Sequence, residues 1–175
     1  MKRILALTVI LGGLSGALAQ GTFNFTADLN GQNEIPPNDS PAYGTGIFEL
    51  SGGALNYSIG FSIGLITNVT INGPSTANST APVLFNLGPA SVIINPPLPP
   101  TIITEVSGTI NNLTSTQIDD LLAGLWYVNV YTSSGNFPEG EIRGQIVPVP
   151  EPSTWALLAS GGVVVWWYGR QKRKG

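Results

Sequence analysis

Hydrophobic and polar residues alternate with a period of two along most of the chain. The alternation is clearest in 125–146, LWYVNVYTSSGNFPEGEIRGQI. Trp126, Val128 and Val130 alternate with Tyr127, Asn129 and Tyr131, and on the second arm Ile142, Gly144 and Ile146 alternate with Glu141, Arg143 and Gln145. Such a period sends one strand face to a core and the other to water. Pairing Tyr131 with Glu141, Asn129 with Arg143 and Tyr127 with Gln145 puts every apolar residue of both arms on one side. The segment 133–140 between them is rich in chain-reversing residues and predicts a long hairpin loop.

The same period recurs upstream. Phe23, Phe25 and Ala27 form a first strand, and Phe48 and Leu50 lead through Gly52-Gly53 to Leu55, Tyr57, Ile59, Phe61 and Ile63. A two-residue turn at the glycines pairs Leu50 with Leu55 and Phe48 with Tyr57, which keeps the apolar sets on one face. Val69 and Ile71, then Val83, Phe85 and Leu87, then Val106 to Ile110 predict further strands, with a loop over 72–80. The proline run 95–100 removes ladder donors and is expected to lie extended over an edge. Between Thr114 and Gly124 the period becomes helical. Thr114 and Gln117 have capping-box spacing, Ile118, Leu121 and Leu122 share a face, and Gly124 stops the helix. The prediction is an all-β, Greek-key-like β-sandwich of about seven to nine strands, with one short helix across an end.

The two termini depart from this pattern. Lys2 and Arg3, the apolar run 4–14 and the small-x-small site Ala17-Leu18-Ala19 read as a secretory signal over 1–19, cleaved before Gln20. After Ile146, a proline-rich stretch containing Pro150, Glu151 and Pro152 leads to an apolar helix over about 154–168. A basic end over 170–174 follows, holding Arg170, Lys172, Arg173 and Lys174. Such a helix spans about 22 Å at about 1.5 Å per residue, short of a hydrocarbon core of about 30 Å. Trp155, Trp166, Trp167 and Tyr168 are placed to anchor it at the interfaces. The expected division is 1–19 signal peptide, 20–148 sandwich domain and 149–175 tail, with the basic end cytoplasmic.

Composition narrows the chemistry. Gly and Pro fill 36 of 175 positions, which suits turn-rich β structure. Arg143 is the single cation between Arg3 and Arg170, so the central region is strongly acidic and repels nucleic acid. With no histidine and no cysteine, the usual serine or cysteine triads and any zinc or copper site of imidazole or thiolate are excluded. Oxygen ligands for weak calcium binding remain in Glu34, Asp39, Glu139 and Glu141, although their spacing matches no EF-hand, and a solvated acidic surface is the expected reading. Paired carboxylates for glycoside hydrolysis are sought in Asp119 with Asp120, which point to different sides of a helix, and in Glu139 with Glu141, for which a small sandwich offers no evident cleft. Arg143 has two uses open to it: holding an anionic sugar or a partner's carboxylate, or tying the last strand to Glu34, Glu141 or Tyr131. The second is the expected one. No catalytic, cofactor-binding or metal residue is assigned.

Two resemblances add to this. Tyr-Val-Asn-Val-Tyr-Thr over 127–132 with Gly-Glu-Ile-Arg-Gly-Gln over 140–145 resembles the closing motif of the CHRD domain family, and so do Phe25 to Gly31 and Asn33 to Pro37 its opening. The resemblance covers about residues 23–148. It implies an extracellular sandwich of the immunoglobulin or superoxide-dismutase kind, without an established catalytic activity. Where family members often carry histidines, this chain has Tyr131 and the run Val69-Thr70-Ile71-Asn72, which argues against transition-metal chemistry. The tail resembles the PEP-CTERM sorting signal of Gram-negative bacteria, with Pro150, Glu151 and Pro152 as its motif. That likeness implies recognition by an exosortase, removal of the helix from an inner-membrane intermediate, and delivery to the cell surface or extracellular matrix, while the N-terminal signal implies signal peptidase. The expectation is a non-catalytic structural or adhesive protein needing no cofactor. Its candidate polar face is Tyr127, Asn129, Tyr131, Glu141, Arg143 and Gln145, and its candidate partner is extracellular polysaccharide or another surface protein. The alternative is a secreted carbohydrate-active enzyme.

Overall fold

The computed structural model describes residues 21–63, 65–95, 101–133 and 136–150. The signal and helical-tail assignments fall outside them, as do the prolines over 96–100. Among the described residues no helix is long and apolar enough to cross a membrane.

Among the described residues nine strands form one antiparallel sheet: β1 Phe23–Asn30, β2 Tyr43–Ser51, β3 Ala54–Phe61, β4 Ile66–Asn72, β5 Val83–Gly88, β6 Ser91–Asn95, β7 Thr101–Ile110, β8 Trp126–Thr132 and β9 Ile142–Pro148. Among these residues one α-helix, α1 Ser115–Leu122, precedes β8, and a 3-10 turn, Gly31–Asn33, follows β1. The spatial order is β5-β4-β8-β9-β1-β2-β3-β7-β6, so consecutive hairpins are joined by crossings and the last strand pairs with the first in mid-sheet, as a Greek-key-like arrangement requires. Residues from β1, β2, β3, β4, β7, β8 and β9 meet in one buried cluster. A single sheet can bring them together only by curling over its own apolar face, which gives a nearly closed, sandwich-like body.

Local sequence accounts for the elements. Gly52 and Gly53 have φ of 59° and 80°, the positive values that a type I′ turn demands at both central positions, and Leu50 pairs with Leu55 and Phe48 with Tyr57. At α1 the Thr114 side chain accepts from the Gln117 N–H while Gln117 bonds back to the Thr114 N–H, closing the expected capping box. Gly124, at φ 68°, ends the helical segment. Leu121 is fully buried, and the Leu113 N–H donates to the Gly53 carbonyl at 3.0 Å, which holds α1 against the turn end of β2 and β3.

Some expectations shift. β4 runs through Asn72, where a loop was expected to begin, and β6 is a strand that sequence reasoning did not assign. Phe23 is exposed at the start of β1, where pairing with β9 has not begun, and Val83 is exposed on β5, an edge strand covered on one side only.

Candidate functional site

The register of the last hairpin is as expected: Tyr127 opposes Gln145, Asn129 opposes Arg143, and Trp126 opposes Ile146. Pairing ends at Val130 with Ile142, one step short of the expected Tyr131 and Glu141. Trp126, Val128, Val130, Ile142 and Ile146 face the apolar core, each with no exposed surface.

The opposite face corrects the expectation that it meets water. Tyr127, Asn129 and Arg143 are buried there and Glu141 is only 8% exposed, while Tyr131 and Gln145 are half-buried. The cause lies in three segments that fold over β4, β8 and β9: 31–42, 73–82 and 136–141. Asn38 fastens the first to the third, its Nδ2 donating to the carbonyls of Gly140 at 3.3 Å and Glu141 at 3.1 Å. Ser40 Oγ donates to Glu141 Oε1 at 2.8 Å, and Thr132 donates to its other oxygen. The second connection is held by Tyr127, whose hydroxyl accepts from the Ala81 N–H at 3.0 Å and donates to the Ala81 carbonyl at 3.1 Å. Gln145 Nε2 donates to the carbonyls of Ser75 at 2.9 Å and Gly124 at 2.7 Å.

Arg143 is the centre of this polar interior. Its carbon Cζ lies 3.5 Å from the centroid of the Tyr127 ring, and Nη2 donates to the carbonyls of Ser79 at 2.7 Å and Thr76 at 3.3 Å. The expected tie to the last strand's neighbours is therefore made chiefly to backbone carbonyls of 73–82. Nothing in the spacing of Thr76 and Ser79 marks them as its partners, because they are positioned by a turn of their own: Ser75 Oγ donates to the Ser79 carbonyl at 2.7 Å. Glu34 acts on Arg143 through its field. Burial lowers the affinity of Arg143 for its proton, and Tyr127 and Glu34 partly restore it.

Glu34 is 4% exposed, and burial lifts its carboxyl to about 7; Arg143 and the Ile35 N–H pull it down, while Glu139 pushes it up. Tyr131 is likewise raised, first by burial and then by Glu34. Thr70, Asn72 and Tyr131, which stand where the resemblance places histidines, all join this interior. Thr70 Oγ1 donates to Asn72 Oδ1 at 2.6 Å, and Asn129 Nδ2 donates to the Tyr131 hydroxyl at 3.2 Å. Among the described residues, no three His, Cys, Asp or Glu side chains are grouped to hold a metal ion.

Clefts open where the connections meet, which corrects the expectation that a small sandwich offers none. One of about 340 Å³ is lined by Gln32, Asn33, Glu34, Asn78, Arg143 and Gln145, with Ile35, Pro37 and Ala77 beside them. Glu34 also walls a second of about 200 Å³, shared with Phe137, Pro138 and Glu139. Neither Asp119 nor Asp120 reaches either cleft. Glu139 is exposed and Glu141 is taken up by hydroxyls, so that pair does not converge. Pro150 is exposed beyond the end of β9, while Glu151 and Pro152 lie outside the described residues.

A family model described as the CHRD domain matches residues 25–146, and one described as the PEP-CTERM protein-sorting motif matches residues 148–174. Neither the curated proteins nor the solved structures contain a match to the chain.

Proposed function

The chain belongs to the CHRD domain family and carries a PEP-CTERM sorting motif, and from that premise we propose a non-catalytic binding protein of the bacterial surface or extracellular matrix that holds neutral polysaccharide. The sorting motif supports export by way of an exosortase in a Gram-negative bacterium. The carrying observation is the 340 Å³ cleft, whose lining combines the amides of Gln32, Asn33, Asn78 and Gln145 with the Arg143 guanidinium and the Glu34 carboxyl. Planar amide, guanidinium and carboxyl groups suit the in-plane hydroxyls of a sugar. The acidic domain would repel polyuronates and nucleic acid, and Arg143 would repel an ammonium, which leaves an uncharged polyol.

Binding of the exported protein to its own matrix polysaccharide tests this. Replacing the exposed rim residues in Gln32→Ala and Asn78→Ala together is expected to weaken retention at least about tenfold, the effect of roughly 1.4 kcal/mol, with an unchanged melting temperature. Retention equal to wild type removes the cleft from the function. Processing through the sorting motif is tested separately. Mass spectrometry of the surface fraction is expected to find no peptide from the tail beyond the Pro150-Glu151-Pro152 region. An intact terminus through Gly175 would mean a permanent anchor.

One observation favours the carbohydrate-active enzyme as a second reading: Glu34, held near 7 in a cleft, has the character of a general acid. Glycoside hydrolysis needs a second carboxylate across the scissile bond, and among the described residues lining this cleft Glu34 supplies the single one. Release of reducing ends that is lost in Glu34→Gln would favour this reading over binding alone.

A further inference from the structure

Two buried oxygens under Gly140 have no hydrogen-bond partner among the described residues: Glu34 Oε1 and Asn129 Oδ1. Their residues are 4% and 6% exposed. They converge, because a Cβ built on Gly140 would stand 2.2 Å from Asn129 Oδ1 and 2.7 Å from Glu34 Oε1. Asn129 cannot resolve the conflict by turning over. Its Nδ2 donates to the Glu139 carbonyl at 3.0 Å, and an amide oxygen in that place would face another acceptor. With Glu34 ionised, two buried acceptors without a partner among the described residues would therefore stand near each other, an arrangement that folded proteins avoid.

We propose that Glu34 is a neutral carboxylic acid in the folded protein and donates its proton to Asn129 Oδ1, so that one hydrogen bond fastens the 31–42 connection to β8 beneath Gly140. The surroundings agree in sign. Burial, the largest effect, and Glu139 from the 136–141 segment favour the acid, while Arg143 from β9 and the Ile35 N–H favour the carboxylate, and the balance leaves the carboxyl at about 7. Tyr131 from β8 is itself held protonated chiefly by burial, Tyr127 spends its face on Arg143, and Glu141 accepts from Ser40 and Thr132. Below its unfolded value of 4.5 the acid contributes fully to stability; the contribution is lost as pH rises through about 7, when the proton leaves to solvent and the clasp opens. Because Glu34 walls both clefts, external pH then acts on the one place where the three connections meet.

Thermal unfolding of the full chain in mild detergent, run from about pH 5 to about pH 8 beside Glu34→Gln, tests the clasp. The glutamine amide donates to Asn129 Oδ1 at every pH. The variant is expected to match wild type at the acid end and to melt above it at the alkaline end. Infrared difference spectra of the wild type read the acid directly. A protonated carboxyl band must persist at about pH 6, where ordinary carboxylates are ionised, and be missing from Glu34→Gln. Loss of that band by about pH 6 overturns the proposal, and it does so even if the variant fails to fold. So does a variant less stable than wild type throughout. Millimolar calcium that raises wild-type melting at about pH 8, and not that of Glu34→Gln, also overturns it, because the oxygens would then share a cation rather than a proton.

Discussion

The two faces of the β8–β9 hairpin are both interior, yet they are interior for different reasons. Trp126, Val128, Val130, Ile142 and Ile146 lie against other apolar side chains, where stabilisation is non-directional and grows with area at roughly 25 cal/mol per Å². Tyr127, Asn129, Glu141 and Arg143 lie equally out of water under three connections, but each must find a partner of the right sign and direction. The apolar face tolerates loose geometry and is indifferent to pH. The polar face contributes rigidity only while its bonds are complete, and it is the face on which the 340 Å³ cleft opens. A strand pair covered on both sides can thus anchor the fold with one face and shape a site with the other.

The largest expected effect falls on the apolar side. Trp126 is fully buried and packs against Phe85 with ring centroids 5.6 Å apart, so Trp126→Ala should destabilise by roughly 3–5 kcal/mol, read from denaturant unfolding. The loss should be the same at acid and alkaline pH. A cost that changes with pH would mean that the two faces are coupled through the strands and that their separation is wrong.

Next comes the polar centre. Arg143→Met keeps much of the volume but removes the two charge-assisted hydrogen bonds to the Thr76 and Ser79 carbonyls, which keep Ser75 Oγ as a second donor, for an expected loss of roughly 1–3 kcal/mol after the relief of no longer burying a cation. Without the guanidinium Glu34 loses what restrains it, so its carboxyl should move further up. Alkaline pH should then deepen the loss. If Arg143→Met is as stable as wild type at every pH, the polar face is a passenger on the apolar one.

What the sequence made legible was what local physics decides. Gly52-Gly53 could pair Leu50 with Leu55 in one way only without splitting the apolar set, and the Thr114 capping box announced α1 within four residues. The parity of Trp126 and Tyr127 was legible for the same reason. Burial of the Tyr127 face was not, since it depends on Asn38 and Ala81, which lie 102 and 46 residues from their bonding partners. Alternation reports which residues share a face, and water on the polar side is only the default when nothing covers it. Arg143 could be singled out because it is alone among acids, but its true partners are carbonyl groups, which every residue carries and no composition reveals. β6 escaped because its five residues stop at a proline run.

The smallest effect sharpens the contrast most, because it changes one atom. Tyr127 serves the polar face in two ways: its ring lies under Arg143, and its hydroxyl both accepts from the Ala81 N–H and donates to the Ala81 carbonyl. Tyr127→Phe retains the ring and therefore most of the cation–π attraction, while removing both hydrogen bonds. A net hydrogen bond contributes about 1 kcal/mol, and the Ala81 N–H and carbonyl sit in a partly buried loop that water can reach once the hydroxyl is gone. The expected loss is therefore about 1 kcal/mol, with faster hydrogen exchange confined to the 73–82 connection and unchanged protection in β8. If protection falls instead across β8 and β9, the hydroxyl supports the hairpin itself, and the polar face holds up the fold rather than resting on it.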